Sequence, residues 1–302
     1  MPPTPQYAWP LLKARTGIDV VLKHENHTPT GAFKVRGGIV YADRLKRERP
    51  HVKGVITATR GNHGQSLAFA CARAGVACTV VVPFGNSAEK NAAMKAFGAE
   101  LIEHGRDFDE SREYVEDLVA REGLRYVHSA NEPDLIAGVG TYALEVFEAL
   151  KDVDTVLVPV GGGSGACGLI TVRDALGLKT RIIGVGAERA DAVARSWRTG
   201  TRVVGESADT LAEGVATRVT FDLTFGILQH GLSDFVSLSE DDLAGGIRMA
   251  LDLTHNLAEG AGAASLAAAV KCAGSLRTQR VVCVMSGGNL DLARLRRFMN
   301  VI

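Results

Sequence analysis

Short apolar runs, largely β-branched, over 19–23, 52–57, 77–82, 99–103, 155–160, 181–185 and 280–285 alternate with alanine-rich segments of helical spacing over 62–74, 88–97, 137–150 and 241–255. Each run is about the length of a strand. A strand covered on both faces reads as a continuous apolar run, so the alternation predicts an α/β fold with mainly parallel sheet flanked by helices. No repeat, charge block or Pro/Ser-rich linker marks a domain boundary, so one doubly wound sheet and two both remain open. In open α/β sheets ligands gather where strands end and helices begin. The loops that follow the strands are therefore where chemistry is sought.

With 46% hydrophobic and 23% charged residues over 302 positions, the chain has the composition of a soluble globular protein. Lys+Arg and Asp+Glu number 34 each, which leaves no net charge to select nucleic acid or an anionic membrane surface. Residues 1–20 lack the apolar core of a signal peptide and no later stretch approaches a membrane span, so the expected location is cytoplasmic. The cysteines, Cys71, Cys78, Cys167, Cys272 and Cys283, are odd in number and form no C-x-x-C pair. That argues against a disulfide framework or a zinc site and for a reducing compartment.

Four loops stand out. In Pro29-Thr30-Gly31-Ala32-Phe33-Lys34-Val35-Arg36-Gly37-Gly38 a lysine follows a turn of small residues and opens a helical stretch, where helix amides and Arg36 would lower its pKa. A solvated surface lysine is the plain alternative. Thr59-Arg60-Gly61-Asn62-His63, directly after a strand, offers backbone N–H groups at a helix N-terminus to a carboxylate or phosphate; an ordinary glycine-turn cap would look the same. Gly161-Gly162-Gly163-Ser164 lets backbone wrap closely on phosphate oxygens, with Ser164 adding a hydroxyl. No lysine follows it, which argues against a nucleoside triphosphate. Ser286-Gly287-Gly288-Asn289 places a neutral donor or acceptor after the last strand, where a helix cap is the bland reading. Together the loops suit one ligand with a carbonyl for a lysine to trap, a phosphate, and a ring needing a neutral polar partner; pyridoxal 5'-phosphate has all three. A nucleotide-dependent oxidoreductase, or a phosphate-binding module without catalysis, would use the glycine loops and leave Lys34 idle.

On these motifs the chain resembles the fold-type II pyridoxal-phosphate enzymes, specifically the serine/threonine dehydratase and serine racemase group, over nearly its whole length. The resemblance implies two open, twisted, mainly parallel sheets flanked by helices, as in the tryptophan synthase β architecture. It also implies a large cofactor-binding domain from 1–36 and 136–302 and a smaller mobile domain from 37–135. Lys34 would carry the cofactor as a Schiff base, with Phe33 beside the ring. Asn62 would meet the phenolic oxygen, Gly161, Gly162, Gly163 and Ser164 the phosphate, and Ser286 the pyridine nitrogen. Glu259 matches a glutamate near the cofactor. The loop Thr59, Arg60, Gly61, Asn62 and His63 would grip the substrate carboxylate, with His63 shaping the loop rather than acting as a base. The implied activity is ammonia-lyase: β-elimination from a small 3-hydroxy amino acid, threonine or serine by default, to a 2-oxo acid and ammonia, by a homodimer.

Departures from the family pattern sharpen these expectations. Arg60 stands where the racemases carry a serine that serves as second base. An arginine is always protonated, so elimination is expected to dominate over racemisation or β-replacement. Arg60 could instead meet an anionic or aromatic substituent, which keeps 3-hydroxyaspartate and phenylserine open, or simply face solvent. Val139 stands where relatives often carry glutamine. The stretch 207–214 resembles one that supplies a divalent cation site, with Glu213 as candidate ligand, but lacks a second carboxylate at the usual offset. Cys167, at a helix start, is expected to be a small buried filler. Because the sequence runs only a few residues past the S-G-G-N loop, feedback through a C-terminal regulatory domain like that of biosynthetic threonine dehydratases is not expected.

Overall fold

A computed structural model describes residues 1–106, 108–276 and 279–299. Its strands are β1 (Gln6–Ala8), β2 (Asp19–His24), β3 (Val55–Ala58), β4 (Cys78–Val82), β5 (Glu100–Glu103), β6 (Arg125–Tyr126), β7 (Thr155–Pro159), β8 (Arg181–Ala187), β9 (Asp234–Leu238) and β10 (Arg280–Met285). The chain divides into two compact units, one formed by Met1–Phe33 with Gly140–Ile302 and the other by Lys34–Val139. Among the described residues no helix is long and apolar enough to cross a membrane.

The unit built from both chain ends holds a six-stranded sheet in the order β1-β2-β10-β7-β8-β9. Every pairing is parallel except β1 with β2. Its interior strands are covered on both faces: Leu22, Leu157, Val185, Val281 and Cys283 on one face, and Val156, Ile182 and Val282 on the other, are fully buried. The helix Gly260–Lys271 buries Ala263, Ala264, Ala268 and Ala269 completely, so its alanines are the small residues that let a helix lie close on the central strands. The helix Glu240–Thr254 opens with a reciprocal cap, Asp242 N donating to Ser239 Oγ (3.1 Å) and Ser239 N to the Asp242 carboxylate (3.0 Å).

The other unit holds a four-stranded parallel sheet in the order β5-β4-β3-β6. Along β3 and β4 the side chains alternate between two cores. Val55, Val80 and Val82 join Leu67, Tyr41 and Met94 on one face, while Ile56, Ala58 and Val81 join Val115 and Leu118 on the other. The helix Lys34–Glu48 packs on the helix Asn62–Ala74 at very short range. A Cβ on Gly38 would stand 2.4 Å from Ser66 Oγ, and one on Gly37 would stand 2.6 Å from the Leu135 carbonyl oxygen. The glycines Gly37 and Gly38 thus set how closely the helix Lys34–Glu48 approaches the helix Asn62–Ala74 and the Leu135 backbone.

Candidate active site

In the larger unit three loops leave adjacent parallel strands at the same edge of the sheet. β2 and β10 end in register, Met285 opposite His24, and β7 lies on the other side of β10. The Thr28–Phe33 loop after β2 is laced to the Ser286–Asn289 loop after β10. Phe33 N donates to the Ser286 carbonyl (3.0 Å) and Gly288 N to the Gly31 carbonyl (2.9 Å). The Asn289 amide donates to the Thr30 carbonyl (2.8 Å). Thr28 Oγ1 closes the turn, accepting from Ala32 N (2.9 Å) and donating to the Ala32 carbonyl (2.8 Å). Gly31 sits at φ +67° with Asn289 Oδ1 where a side chain would begin, so only glycine fits both the conformation and the space. These bonds fix Ser286, 6% exposed, beside the backbone of Phe33.

The loop after β7 is shaped for an anion. A Cβ on Gly161 would lie 2.4 Å from the Gly214 carbonyl oxygen. Gly163, at φ +96°, caps the helix Ser164–Ala175, whose first-turn N–H groups have no intrahelical acceptor. Ser164 is buried beside them. The Phe33 ring lies against Gly165, its Cε2 3.3 Å from where a Cβ would be, and the buried Tyr142 hydroxyl donates to the Gly165 carbonyl (2.8 Å). Glu259 is 7% exposed at the start of the helix Gly260–Lys271, its N donating to the Gly287 carbonyl (3.1 Å). Phe33, Gly161, Gly162, Gly163, Ser164, Glu259 and Ser286 therefore belong to one edge of one unit. Close glycine backbone, a helix N-terminus and a neutral hydroxyl form a donor set that fits a phosphorylated pyridine aldehyde.

Lys34 and the Thr59–His63 loop belong to the smaller unit. Lys34, half-buried, opens its helix, and its carbonyl accepts from Ser66 Oγ at 2.7 Å. Gly61 N donates to Thr59 Oγ1 (3.1 Å), which turns the chain sharply into the helix begun by Asn62. Thr59 is buried, Asn62 half-buried and Arg60 exposed. His63, 4% exposed, faces the Val127 carbonyl through Nε2 at 3.2 Å. Burial, with the Lys34 charge second, lowers its pKa to about 3, so the imidazole is neutral and spans the loop as a donor. His24 lies in the other unit, taking the Trp9 indole N–H (3.2 Å), its ring 5.2 Å from that of His27.

Two further residues resolve cleanly. Cys167 is fully buried, its thiol directed at the Thr224 carbonyl (3.5 Å), and burial pushes its pKa to about 12, so it is an unreactive filler. Glu213 is ion-paired with Arg294 at 2.7 Å. Asp209, the other carboxylate of its segment, is paired with Arg189. Among the described residues no three His, Cys, Asp or Glu side chains gather as a metal site. A divalent cation wants six to eight oxygen ligands, and the carboxylates of 207–214 are engaged by arginines, so these residues do not fit one. Sequence reasoning missed Ser66, Tyr142 and Asn289 as supports. Asn289 closes the last quoted loop and Ser66 lies in the helical segment 62–74, but nothing in their spacing states which backbone group they reach.

Comparison with known proteins agrees with this geometry. Residues 1–287 match the family model described as pyridoxal-phosphate dependent enzyme. The chain is 34% identical over 290 residues to an L-threonine ammonia-lyase of Thermotoga maritima, covering 96% of this chain and 72% of that protein. Among solved structures, the processed form of threonine deaminase isoform 2 from Solanum lycopersicum superposes with a TM-score of 0.94 at 30% identity, covering 99% of this chain and 88% of that one. Maize serine racemase superposes with a TM-score of 0.91 at 27% identity, with coverage of 99% and 92%.

Proposed function

From the premise that the chain belongs to the family of pyridoxal-phosphate dependent enzymes, we propose that it is an ammonia-lyase converting threonine or serine to a 2-oxo acid and ammonia. Lys34 would hold the cofactor covalently, Gly161, Gly162, Gly163 and Ser164 would hold its phosphate, Ser286 would face its ring nitrogen and Asn62 its phenolic oxygen, with Phe33 and Glu259 alongside. When bound, the cofactor supplies an electron sink for negative charge at the substrate Cα. The amine of Lys34, once free, takes the Cα proton as general base. The Thr59–His63 loop holds the carboxylate through its backbone N–H groups, and neutral His63 keeps that loop in shape. The Cα–H and Cβ–O bonds break, the proton held by Lys34 passes to the departing hydroxyl, and water leaves; the enamine released takes up water and yields the 2-oxo acid and ammonia. Arg60, permanently protonated, supplies no second base, which favours elimination over racemisation.

The observation that carries this reading is the lacing of the β2 and β10 loops by hydrogen bonds around a buried neutral hydroxyl at Ser286, with the Phe33 ring lying on Gly165 at the helix start after the glycine loop of β7. A neutral hydroxyl facing the ring nitrogen would carry no charge to hold a proton there, which would suit prompt loss of a β-hydroxyl. The test is release of 2-oxo acid from a panel of L- and D-3-hydroxy amino acids: L-threonine or L-serine as best substrate supports the reading, and no release from any of them overturns it. A second substrate reading, 3-hydroxyaspartate, draws on Arg60, exposed on the carboxylate loop, and on Lys90, whose Cδ passes 2.9 Å from a Cβ position on Gly61. It predicts that Arg60→Ser loses activity on the acidic substrate while keeping it on serine.

The proposal extends to a homodimer in the cytoplasm. Its five free thiols suit a reducing compartment. Sedimentation at micromolar concentration should return twice the 32.0 kDa chain mass.

A further inference from the structure

The segment Ser207–Gly214 raises a cation site by resemblance, and its side chains are committed elsewhere. Glu213 Oε1 meets Arg294 Nη2 at 2.7 Å, with the two side chains 24% and 41% exposed, and Asp209 is taken by Arg189. On the near side of the segment, Glu240 accepts from Thr210 Oγ1 and from Leu211 N, both at 2.7 Å. The turn Glu213–Val215 that follows is wedged between two parts of the cradle. The Gly214 carbonyl fills the space beside Gly161, and a Cβ on Gly214 would lie 2.7 Å from Ala261 Cβ and 3.9 Å from Glu259 Oε1. Gly260 in turn has no room for a side chain against Ala212, whose Cα lies at 2.7 Å. Any shift of this turn is therefore passed directly to Gly161 and to Glu259.

We infer that the Arg294 guanidinium serves, in this chain, as the built-in cation for Glu213: the pair braces the turn beneath the glycine loop and so positions the cofactor phosphate loop without a divalent ion. Arg294 is a positioning residue, and the inference rests on the cofactor reading above. It accounts for why a lone carboxylate suffices at this turn. A planar guanidinium satisfies one carboxylate, where a hard divalent ion would need several oxygen ligands held together.

The test is cofactor affinity, measured by fluorescence titration of the apoprotein with pyridoxal phosphate, before and after chelator treatment and with millimolar Mg²⁺ or Ca²⁺. The wild type should bind the cofactor equally well in all conditions. Arg294→Ala should weaken cofactor binding by about three- to tenfold, as expected for a half-exposed ion pair braced by packing, with kcat at saturating cofactor little changed. Arg294→Lys should recover part of the loss, and divalent cations should improve Arg294→Ala alone by relieving the exposed Glu213 charge. Loss of cofactor from the wild type on chelation, reversed by a divalent ion, would overturn the inference without the need for any variant. So would unchanged affinity in Arg294→Ala. An apoprotein that takes up no pyridoxal phosphate under any condition would instead sink the underlying cofactor reading.

Discussion

At the scale of single residues, His63 ties the loop after β3 to the Val127 carbonyl. Buried and bonded to the Val127 carbonyl, it resists protonation down to about pH 3, whereas an unfolded histidine takes a proton near pH 6.5. The unfolded state therefore binds the extra proton across that window, and stability is full above about pH 6.5 and falls as the pH drops. For His63 the loss at pH 5 is about 1–2 kcal/mol. His24 and His128, both lowered to about 4 chiefly by burial, add in the same direction. His63→Gln, whose amide can still donate to Val127, should flatten the fall in urea midpoint between about pH 7 and about pH 5. A slope equal to that of the wild type would show that His63 is not the titrating group. Lys34 is placed by a similarly quiet contact, the Ser66 hydroxyl on its carbonyl.

At the scale of elements, glycines decide the geometry more than side chains do. Gly38→Ala would drive a methyl group to within 2.4 Å of Ser66 Oγ and 2.8 Å of the Ser66 carbonyl. The helices Lys34–Glu48 and Asn62–Ala74 must then separate, at a cost of about 1–3 kcal/mol, readable as a lower denaturant midpoint; an unchanged midpoint would contradict so tight a packing. Gly161→Ala meets the Gly214 carbonyl. We expect it to weaken binding of pyridoxal phosphate at least tenfold while leaving the far-ultraviolet circular dichroism intact, and equal affinity would show that the turn yields. Strands buried on both faces were legible in the sequence: 280–285 is β10 to the residue, and 62–74 is the helix Asn62–Ala74. β1, β6 and β9 were not, for a common reason. β6 spans only Arg125 and Tyr126, β1 is a largely exposed edge, and in β9 only Phe235 and Leu238 are buried, so none presents a continuous apolar run.

Over the whole molecule, alternation of element types announced an α/β chain, but whether it holds one sheet or two was settled by pairing, which no local pattern encodes. β2 and β10, separated by most of the chain, are neighbours in one sheet, and β3 to β6 form the other. The candidate site was legible because its loops carry unusual residues, a lysine after small residues and runs of glycine. Its supports were not, since the reach of Tyr142 to Gly165 or of Asn289 to Thr30 is a tertiary fact. The central claim is that Lys34 carries the cofactor. Borohydride reduction of the cofactor-loaded protein followed by peptide mass mapping tests it most directly: a reduced pyridoxal-phosphate adduct is expected on Lys34 and absent from Lys34→Ala. An adduct on another lysine, or none on a protein that still releases 2-oxo acid, would contradict it.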